Sequence, residues 1–481
     1  MRHRTVALGA VLCVVGAALS AVYERPAAAA VTPFPSANVT FAGHGFGPGY
    51  GMGQWGAFGF AAVDHWTYHQ ILVHYYSAST NPVTPATLTT KNDGQLITVA
   101  IEENNGIPLT VTSASPFSFV TPGGKTIARI GASQAARAFE AGAPGTWVLQ
   151  TASSCQPSSW KTVATGLINP VAVPASLQAN APSRDLLTLC RGGVPAVSYR
   201  GRLEAYDYDN ANTGGRHFER TLNIVALEQY VADVTPEESP TGWATYGGTS
   251  HSPQSEPWGF QELEAQAVAV RSYLLASKDE GGWYGYADIC DNICQSYTFG
   301  VRDETALSVL AARDTAGQYL VQGGAPAPTE YDSSSGGYTE TLTYWNGKPI
   351  FEGVPDAGDA VCIGGQGSLG CNPEHTWTTS ITVRTLENAY PAIGTLVSVK
   401  VTQADVSGRV LEISLVGEKS TVTVSGDTLA SNYSGFFSTR FAVTDGPGAT
   451  EKPPAAPVSS GRGRKQLGTP GNQPPVRQLP G

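Results

Sequence analysis

Apolar positions change period several times along the chain. Phe58, Ala61 and Ala62, then Ile71, Leu72 and Tyr75, recur at near-helical spacing and predict two short helices. Residues 97–145 alternate instead, and ITVAIEENNGIPLTV and FSFVTPGGKTIARI read as β-hairpins turning at Asn105-Gly106 and Gly123-Gly124. Residues 145–200 carry no clear period and read as irregular. VSYRGRLEAYDYD and HFERTLNIVAL alternate again and predict strands. From Phe260 the pattern becomes helical, with Leu263, Ala267, Val270 and Leu274 on the same face. A second helix is expected over 304–312, capped by Asp303 and stopped by Gly317. TEYD and SSSGGY, over 329–338, look strand-like. From Val397, VSVKVTQADVSGRVLEISLVG and STVTVSG form a β-hairpin region. The fold class is therefore α+β and β-rich, as one elaborated domain or two joined lobes, without internal repeats.

The N-terminus departs from this pattern. Arg2 and Arg4 precede an apolar run from Val6 to Val22, and Ala27 to Ala30 offer a small-residue cleavage site. Residues 1–30 read as a secretory signal peptide, with a retained membrane anchor as the competing reading. No later segment is long and apolar enough to span a bilayer. Only 14% of the 481 residues are charged, which suits a secreted, extracellular or wall-associated protein. Without the leader, 29 basic and 39 acidic residues become 26 and 38. Such an acidic chain has no electrostatic affinity for nucleic acid. It gains nothing from charge on an anionic wall polymer either, so hydrogen bonds and stacking would have to hold such a substrate. The segment 447–481 is rich in Pro, Gly and Arg and is expected to be disordered. Its Lys452, Arg462, Arg464, Lys465 and Arg477 read as a solvated tail, with contact to anionic polymer as the alternative.

Six cysteines remain beyond Cys13, as the sequence-local pairs Cys155/Cys190, Cys290/Cys294 and Cys362/Cys371. Three disulfides with this connectivity are the simplest reading in a secreted chain. Metal binding competes for Cys290/Cys294, but no histidine lies near either thiol, so no metal and no cofactor is expected.

Two segments carry candidate chemistry. Gly43, Gly45, Gly47, Gly49 and Gly51 alternate strictly before Gln54-Trp55-Gly56-Ala57. That glycine density excludes an ordinary strand or helix, so the stretch is a loop that turns repeatedly or lies against a ligand. In the second segment, Glu237 and Glu238 stand between Pro236 and Pro240, in what reads as a strand-to-loop passage beside an aromatic residue. A desolvated carboxyl there stays protonated near neutral pH, as a general acid must. An acidic surface turn is the plain alternative.

VTPEESPTGW followed by AQAVAVRSY resembles the stage II sporulation protein D (SpoIID/LytB) family, whose signature is an E-x-P acid followed by a helix of the KAQAVAARTY type. CQSYTFG at 294–300, YDSSSGGYTE at 331–340 and the hairpins at 397–442 resemble further elements of that family. The glycine loop resembles its G-R-G-x-G-H-G-x-G-M-S-Q-W-G-A element, which usually ends the domain and here begins it, as in a circular permutation. The chain departs from the family in several places, among them Gly53 at the motif serine and one extra residue before Gly300. Pro48 replaces the motif histidine, and His44 replaces an arginine. Glu264 replaces a lysine, and extra residues run from Ala244 to Pro257.

The resemblance implies a β-rich domain with a few helices around a glycan-binding cleft. Residues 31–96 would complete the domain, 97–220 would form an accessory lobe, and 221–446 the catalytic core. It implies lytic transglycosylation of peptidoglycan glycan strands, with Glu238 as the catalytic acid. Gln54, His44, Gln266, Arg271, Tyr273, Tyr297, Ser334, Ser335, Gly336, Gly337 and Thr339 would contact the glycan. For Arg271 and Tyr273 helix packing remains an alternative, and for the Ser334–Thr339 stretch a plain turn does. SSSGG lacks the elbow and the His/Asp partners of a serine nucleophile. The alternative function is an enhancer of a wall amidase, or a glycan-binding scaffold, in sporulation or cell division.

Overall fold

The computed structural model of the chain describes residues 32–76, 87–90, 94–209, 217–249, 256–343 and 349–449. The predicted leader and the tail from residue 450 lie outside them. The fold is α+β, with strands predominating. A seven-stranded sheet collects strands from 96–100, 117–130, 171–173, 202–209, 217–226 and 289–290. Its strand His217–Ala226 runs across the 220/221 boundary and pairs with Leu96–Ala100. A six-stranded antiparallel sheet is built from residues between 109 and 199.

The segment 145–200, expected to be irregular, supplies five of these strands, from Trp147–Ala152 to Val194–Tyr199. Several have short or broken alternation. Lys161–Leu167 is largely exposed and carries register shifts, so no clean period marks it.

Five helices position the site. Helix α1 spans Gln54–Ala62, α2 Tyr68–Tyr76, α3 Leu227–Glu238, α4 Phe260–Asp279 and α5 Ala306–Asp314. Helix α4 lies between two cores. Leu263, Ala267, Val270 and Leu274 join the cluster that unites both large sheets with α3. Ala265, Val268 and Ala269, on its other side, pack with Ala57, Phe60, Leu72 and Tyr75 of α1 and α2. The small alanines let a second layer of helices approach, so the helix is buried on both faces rather than one.

Helix α5 begins later than expected. Thr305, not Asp303, caps it, in a reciprocal capping box with Ser308. Asp303 is instead engaged by Arg302.

The first described strand, Asn38–Gly43, lies between Trp377–Thr382 and Phe441–Val443, pairing antiparallel with both. The beginning and end of the described chain are therefore spatial neighbours. Val39, Phe41, Ile413 and Phe441 share the core of this region with the sheet formed by 396–404, 410–417 and 421–425.

Candidate active site

Glu237 and Glu238 are the last residues of helix α3, not part of a strand-to-loop passage. Leu227, Tyr230, Val231 and Val234 recur at helical spacing and are all buried, which outweighs Pro236 near the end. The Ser239 amide closes the last turn onto the Thr235 carbonyl at 2.9 Å. The Ser239 hydroxyl then donates to Glu262 Oε1 at 2.7 Å and lies 3.3 Å from Gln266 Oε1, both on α4. These bonds tie the end of α3 to α4 immediately after Glu238.

The loop 294–299 forms an amide cradle under both carboxylates. The Ser296 N–H donates to Glu238 Oε1 at 2.7 Å. The Thr298 and Phe299 N–H groups donate to the two oxygens of Glu237, at 3.0 and 3.1 Å. A disulfide between Cys290 and Cys294 holds the start of this loop, so neither sulfur is a free thiolate for a metal. Cys155–Cys190 and Cys362–Cys371 are bonded likewise. Burial pushes the Glu238 carboxyl above the ordinary carboxylate range, against the pull of polar groups directed at it from Tyr331, Ser296 and Gln54. Burial also pushes Glu237 up to about 7, although the Phe299 and Thr298 amides oppose it. Both carboxyls thus hold protons more tightly than free glutamates do.

Gln54 reaches Glu238 because of how the glycine loop is laid down. Met52–Gly53 pairs parallel with Tyr331–Asp332, Phe46 bridges to Ser334, and the Trp55 N–H donates to the Ser333 carbonyl at 3.0 Å. Gly51 has φ +71, and a Cβ there would collide with the Glu330 carbonyl. At Gly45, φ +80, a Cβ would meet the Ser334 carbonyl. The loop therefore turns repeatedly and lies against the chain's own 330–336 segment. This pairing delivers Gln54 and Tyr331 to the same carboxyl. Trp55, one residue on, packs against Trp243 at 4.6 Å between ring centres.

Most other predicted contact residues lie elsewhere. Arg271 is fully buried and committed to structure. It donates to Glu228 at 2.9 Å and to the Gln318 carbonyl at 2.9 Å, which ties α4 to α3 and to the strand after α5. The Tyr297 ring is fully buried, and its hydroxyl donates to Asn223 at 2.8 Å. Tyr273 is buried in the main core. Internal bonds therefore account for Arg271 and Tyr297, while Tyr273 lies near Tyr331 and Tyr230, beside Glu238. Gln266 is buried beside Ser239, whose hydroxyl lies 3.3 Å from its Oε1.

The SSSGG segment is not a strand beyond Asp332, and its hydroxyls do not line a sugar cleft. Ser334 donates to Asp359 and Ser335 to Asp356, both at 2.7 Å, and Thr339 exchanges bonds with Val354. Ser334, Ser335 and Thr339 are all buried. Gly336 admits His44, whose backbone and Cβ fill the space a side chain would need, while Gly337 turns at φ +100. His44 itself bonds the His375 carbonyl through Nδ1 at 3.1 Å. Burial, then Arg440 and His375, lower its pKa to about 4, so it is neutral at physiological pH.

Several residues here were invisible in the sequence. Asp359 holds His375 Nδ1 at 2.7 Å on one oxygen and Ser334 on the other. Glu374 receives the Ser333 hydroxyl and faces the Trp55 indole. Asp356 takes Ser335 and, at 2.8 Å, the Tyr75 hydroxyl; burial and then Asp359 push it up to about 8. His375 therefore stands beside the glycine loop, near Gly337, although the loop's motif position holds Pro48. The one sequence signal was the Cys362/Cys371 pair bracketed by Asp359 and His375.

Residues 216–321 match the model of the stage II sporulation protein family, SpoIID. No curated protein and no solved structure matches the chain. The matched segment contains α3 with Glu238, helix α4 and the amide cradle at 294–299. The segment that builds this carboxylate site, residues 216–321, is thus similar to the SpoIID domain of sporulation- and cell-wall-related proteins.

Proposed function

We propose that this protein cleaves peptidoglycan glycan strands between N-acetylmuramic acid and N-acetylglucosamine by lytic transglycosylation, with Glu238 as the acid and base. The observation that carries the reading is one carboxyl that accepts from the Ser296 amide at 2.7 Å and has the polar side chains of Tyr331 and Gln54 beside it, from three distant segments. Burial favours its protonated form, as proton donation to a glycosidic oxygen requires. Its oxygens would then accept the proton of the muramic acid 6-hydroxyl as that oxygen closes the 1,6-anhydro ring. A single carboxyl serves both steps, and no activated water is needed, unlike a two-carboxylate hydrolase. Tyr331 and Gln54 supply fixed dipoles beside the developing charge, which need no reorganisation during reaction. Glu237, one residue earlier, is pinned by its own two amides and serves the geometry of the loop.

Secretion into the wall accompanies this reading. The three disulfides favour an oxidising compartment. The leader expected at 1–30 would direct export. Among the described residues no helix is long and apolar enough to cross a membrane. The start of the family element at residue 43 is read as a circular permutation, which the adjacency of strands 38–43 and 441–443 makes sterically simple.

The second reading is a non-catalytic enhancer of a wall amidase or a glycan scaffold. Pro48 at the motif histidine, and hydroxyls at 334, 335 and 339 already committed to internal bonds, favour it. Purified protein on isolated glycan strands separates the two. The enzyme reading expects 1,6-anhydro-muramic ends by mass spectrometry, and their loss in Glu238→Gln. Faster amidase turnover with no anhydro product would establish the enhancer instead.

A further inference from the structure

The hairpin formed by 202–209 and 217–226 carries a surface far from Glu238 in chemistry. Leu203 and Ala205 are buried, and the alternate residues Tyr206 and Tyr208 stand on the other face, half-buried. In the ladder they lie opposite Arg220 and Phe218. The turn at 281–286, just after α4, packs on them. Its Tyr286 ring stacks on Tyr206 at 6.0 Å and meets Tyr208 at 4.4 Å between centres. Trp283 and Tyr284 meet edge to face at 4.6 Å. Tyr206, Tyr208, Phe218, Trp283, Tyr284 and Tyr286 thus form one aromatic surface.

The rings are fixed in advance of any partner. Trp283 Nε1 and the Tyr286 hydroxyl both donate to Glu102 Oε1 at 3.1 Å, and the Tyr208 hydroxyl donates to the Tyr284 carbonyl at 2.7 Å. Tyr284 itself is 59% exposed and sits at φ +47, a left-handed backbone that a bulky residue seldom adopts. Gly281, Gly282 and Gly285 also have positive φ and permit the turn that lifts this ring into solvent. Backbone strain spent on exposing a tyrosine points to a use for the ring.

Charge narrows the partner. Asp279 and Glu280 are exposed immediately before the turn, and Glu102 lies against it. The neighbouring cations are already engaged: Lys278 pairs with Asp288 at 2.9 Å, and the Arg220 guanidinium lies 5.3 Å over the Phe218 ring. An acidic border repels anions. Preorganised aromatic rings beside carboxylates suit a proline-rich, basic peptide, whose extended backbone docks with little entropy left to lose. The chain contains such a peptide. Pro470, Pro474, Pro475 and Pro480 fall close together, with Lys465 and Arg477 in the same stretch. The described residues stop at 449. At the polyproline rise the stretch 450–469 spans about 60 Å, against a radius of gyration of about 22 Å for a body of this size, so the prolines can reach any face.

We propose that this aromatic surface is the docking site of the chain's own proline-rich basic segment, residues 470–480. The prolines would lie on Tyr284 and Trp283, and Arg477 would meet Asp279 and Glu280. The proposal stands apart from the chemistry assigned to Glu238.

The test is zero-length carbodiimide cross-linking of the full chain, read by mass spectrometry, in an equal mixture of heavy-isotope and ordinary protein. Amide links from Lys465 to Asp279 or Glu280, within one chain, are expected. Tyr284→Asn removes the ring and keeps a residue that tolerates the left-handed backbone. Pro474→Ala with Pro475→Ala leaves the described residues untouched. With unchanged melting temperatures, each variant should cut the link yield by about fivefold, the scale of one lost aromatic contact. Links from Lys465 to other carboxyls, or the same links at unchanged yield in both variants, overturn the proposal. Links only between heavy and ordinary chains would seat the segment on a second copy and overturn docking within the chain. Binding of the N-acetylglucosamine trimer that Tyr284→Asn abolishes, with no link from Lys465, would give the surface to a glycan instead.

Discussion

Glu262 offers a test of how the site is held, read through stability. Its side chain is fully buried on α4. One oxygen accepts the Ser239 hydroxyl at 2.7 Å, and the other has no partner. Burial pushes this carboxyl from its ordinary 4.5 up to about 8, with the Ser239 bond opposing. Between those two values the folded protein keeps the proton while the unfolded chain releases it. The contribution is therefore fully present below pH 4.5 and is lost as pH rises toward about 8. The slope for one such group is about 1.4 kcal/mol per pH unit, so roughly 3 kcal/mol has gone by pH 7.

Glu262→Gln removes this titration and keeps an oxygen to accept from Ser239. Several other buried carboxyls also titrate upward, so neither curve alone is diagnostic. The difference between the two proteins isolates Glu262. Urea unfolding across pH 4.5 to 8 should show the variant gaining on the parent by about 1.4 kcal/mol per pH unit. Anhydro-product formation should persist, because Ser239 still anchors the end of α3. A flat difference curve would refute both the burial argument and the proton assigned to Glu262.

Two further outcomes are expected. Gly51→Ala forces a left-handed backbone on a residue whose Cβ strikes the Glu330 carbonyl; it should cost more than about 2 kcal/mol in thermal unfolding and abolish product release by displacing Gln54. Replacing Cys290 and Cys294 by serine opens a short loop and should cost about 2 kcal/mol. Loosening the Ser296 amide removes a bond that lowers the Glu238 pKa, so the alkaline limb of the activity–pH profile should move upward; an unmoved limb would show that the cradle does not tune the acid.

Local pattern carried much of this architecture. Helix α4 was legible because its larger apolar residues keep one face for its whole length, and the late hairpins because β-branched and apolar residues recur through them despite register shifts in the first pair. Helix α3 was not, because two prolines near its end imitate a loop, and only burial of Tyr230, Val231 and Val234 against the sheets decides otherwise. Glu238 stood out through its neighbours in sequence. Its real surroundings did not, since Tyr331 and Gln54 arrive by strand pairing across nearly three hundred residues. The serines were misleading for a related reason. A hydroxyl beside glycines looks available until Asp356 and Asp359, from a short turn with no pattern of its own, are folded over it. Arg271 and Tyr297 show the limit of reading polarity as function: both satisfy buried partners.

The strand Asn38–Gly43 needs Phe441–Val443 as a neighbour, and that has a temporal consequence. A chain still emerging from the ribosome has exposed the 38–43 segment long before either strand partner exists. The segment carrying Gln54 must wait, unanchored on one side, until nearly the whole polypeptide has passed. A nascent or truncated product therefore lacks the finished surroundings of Glu238, and whatever chemistry that carboxyl performs is deferred until the whole polypeptide has been made.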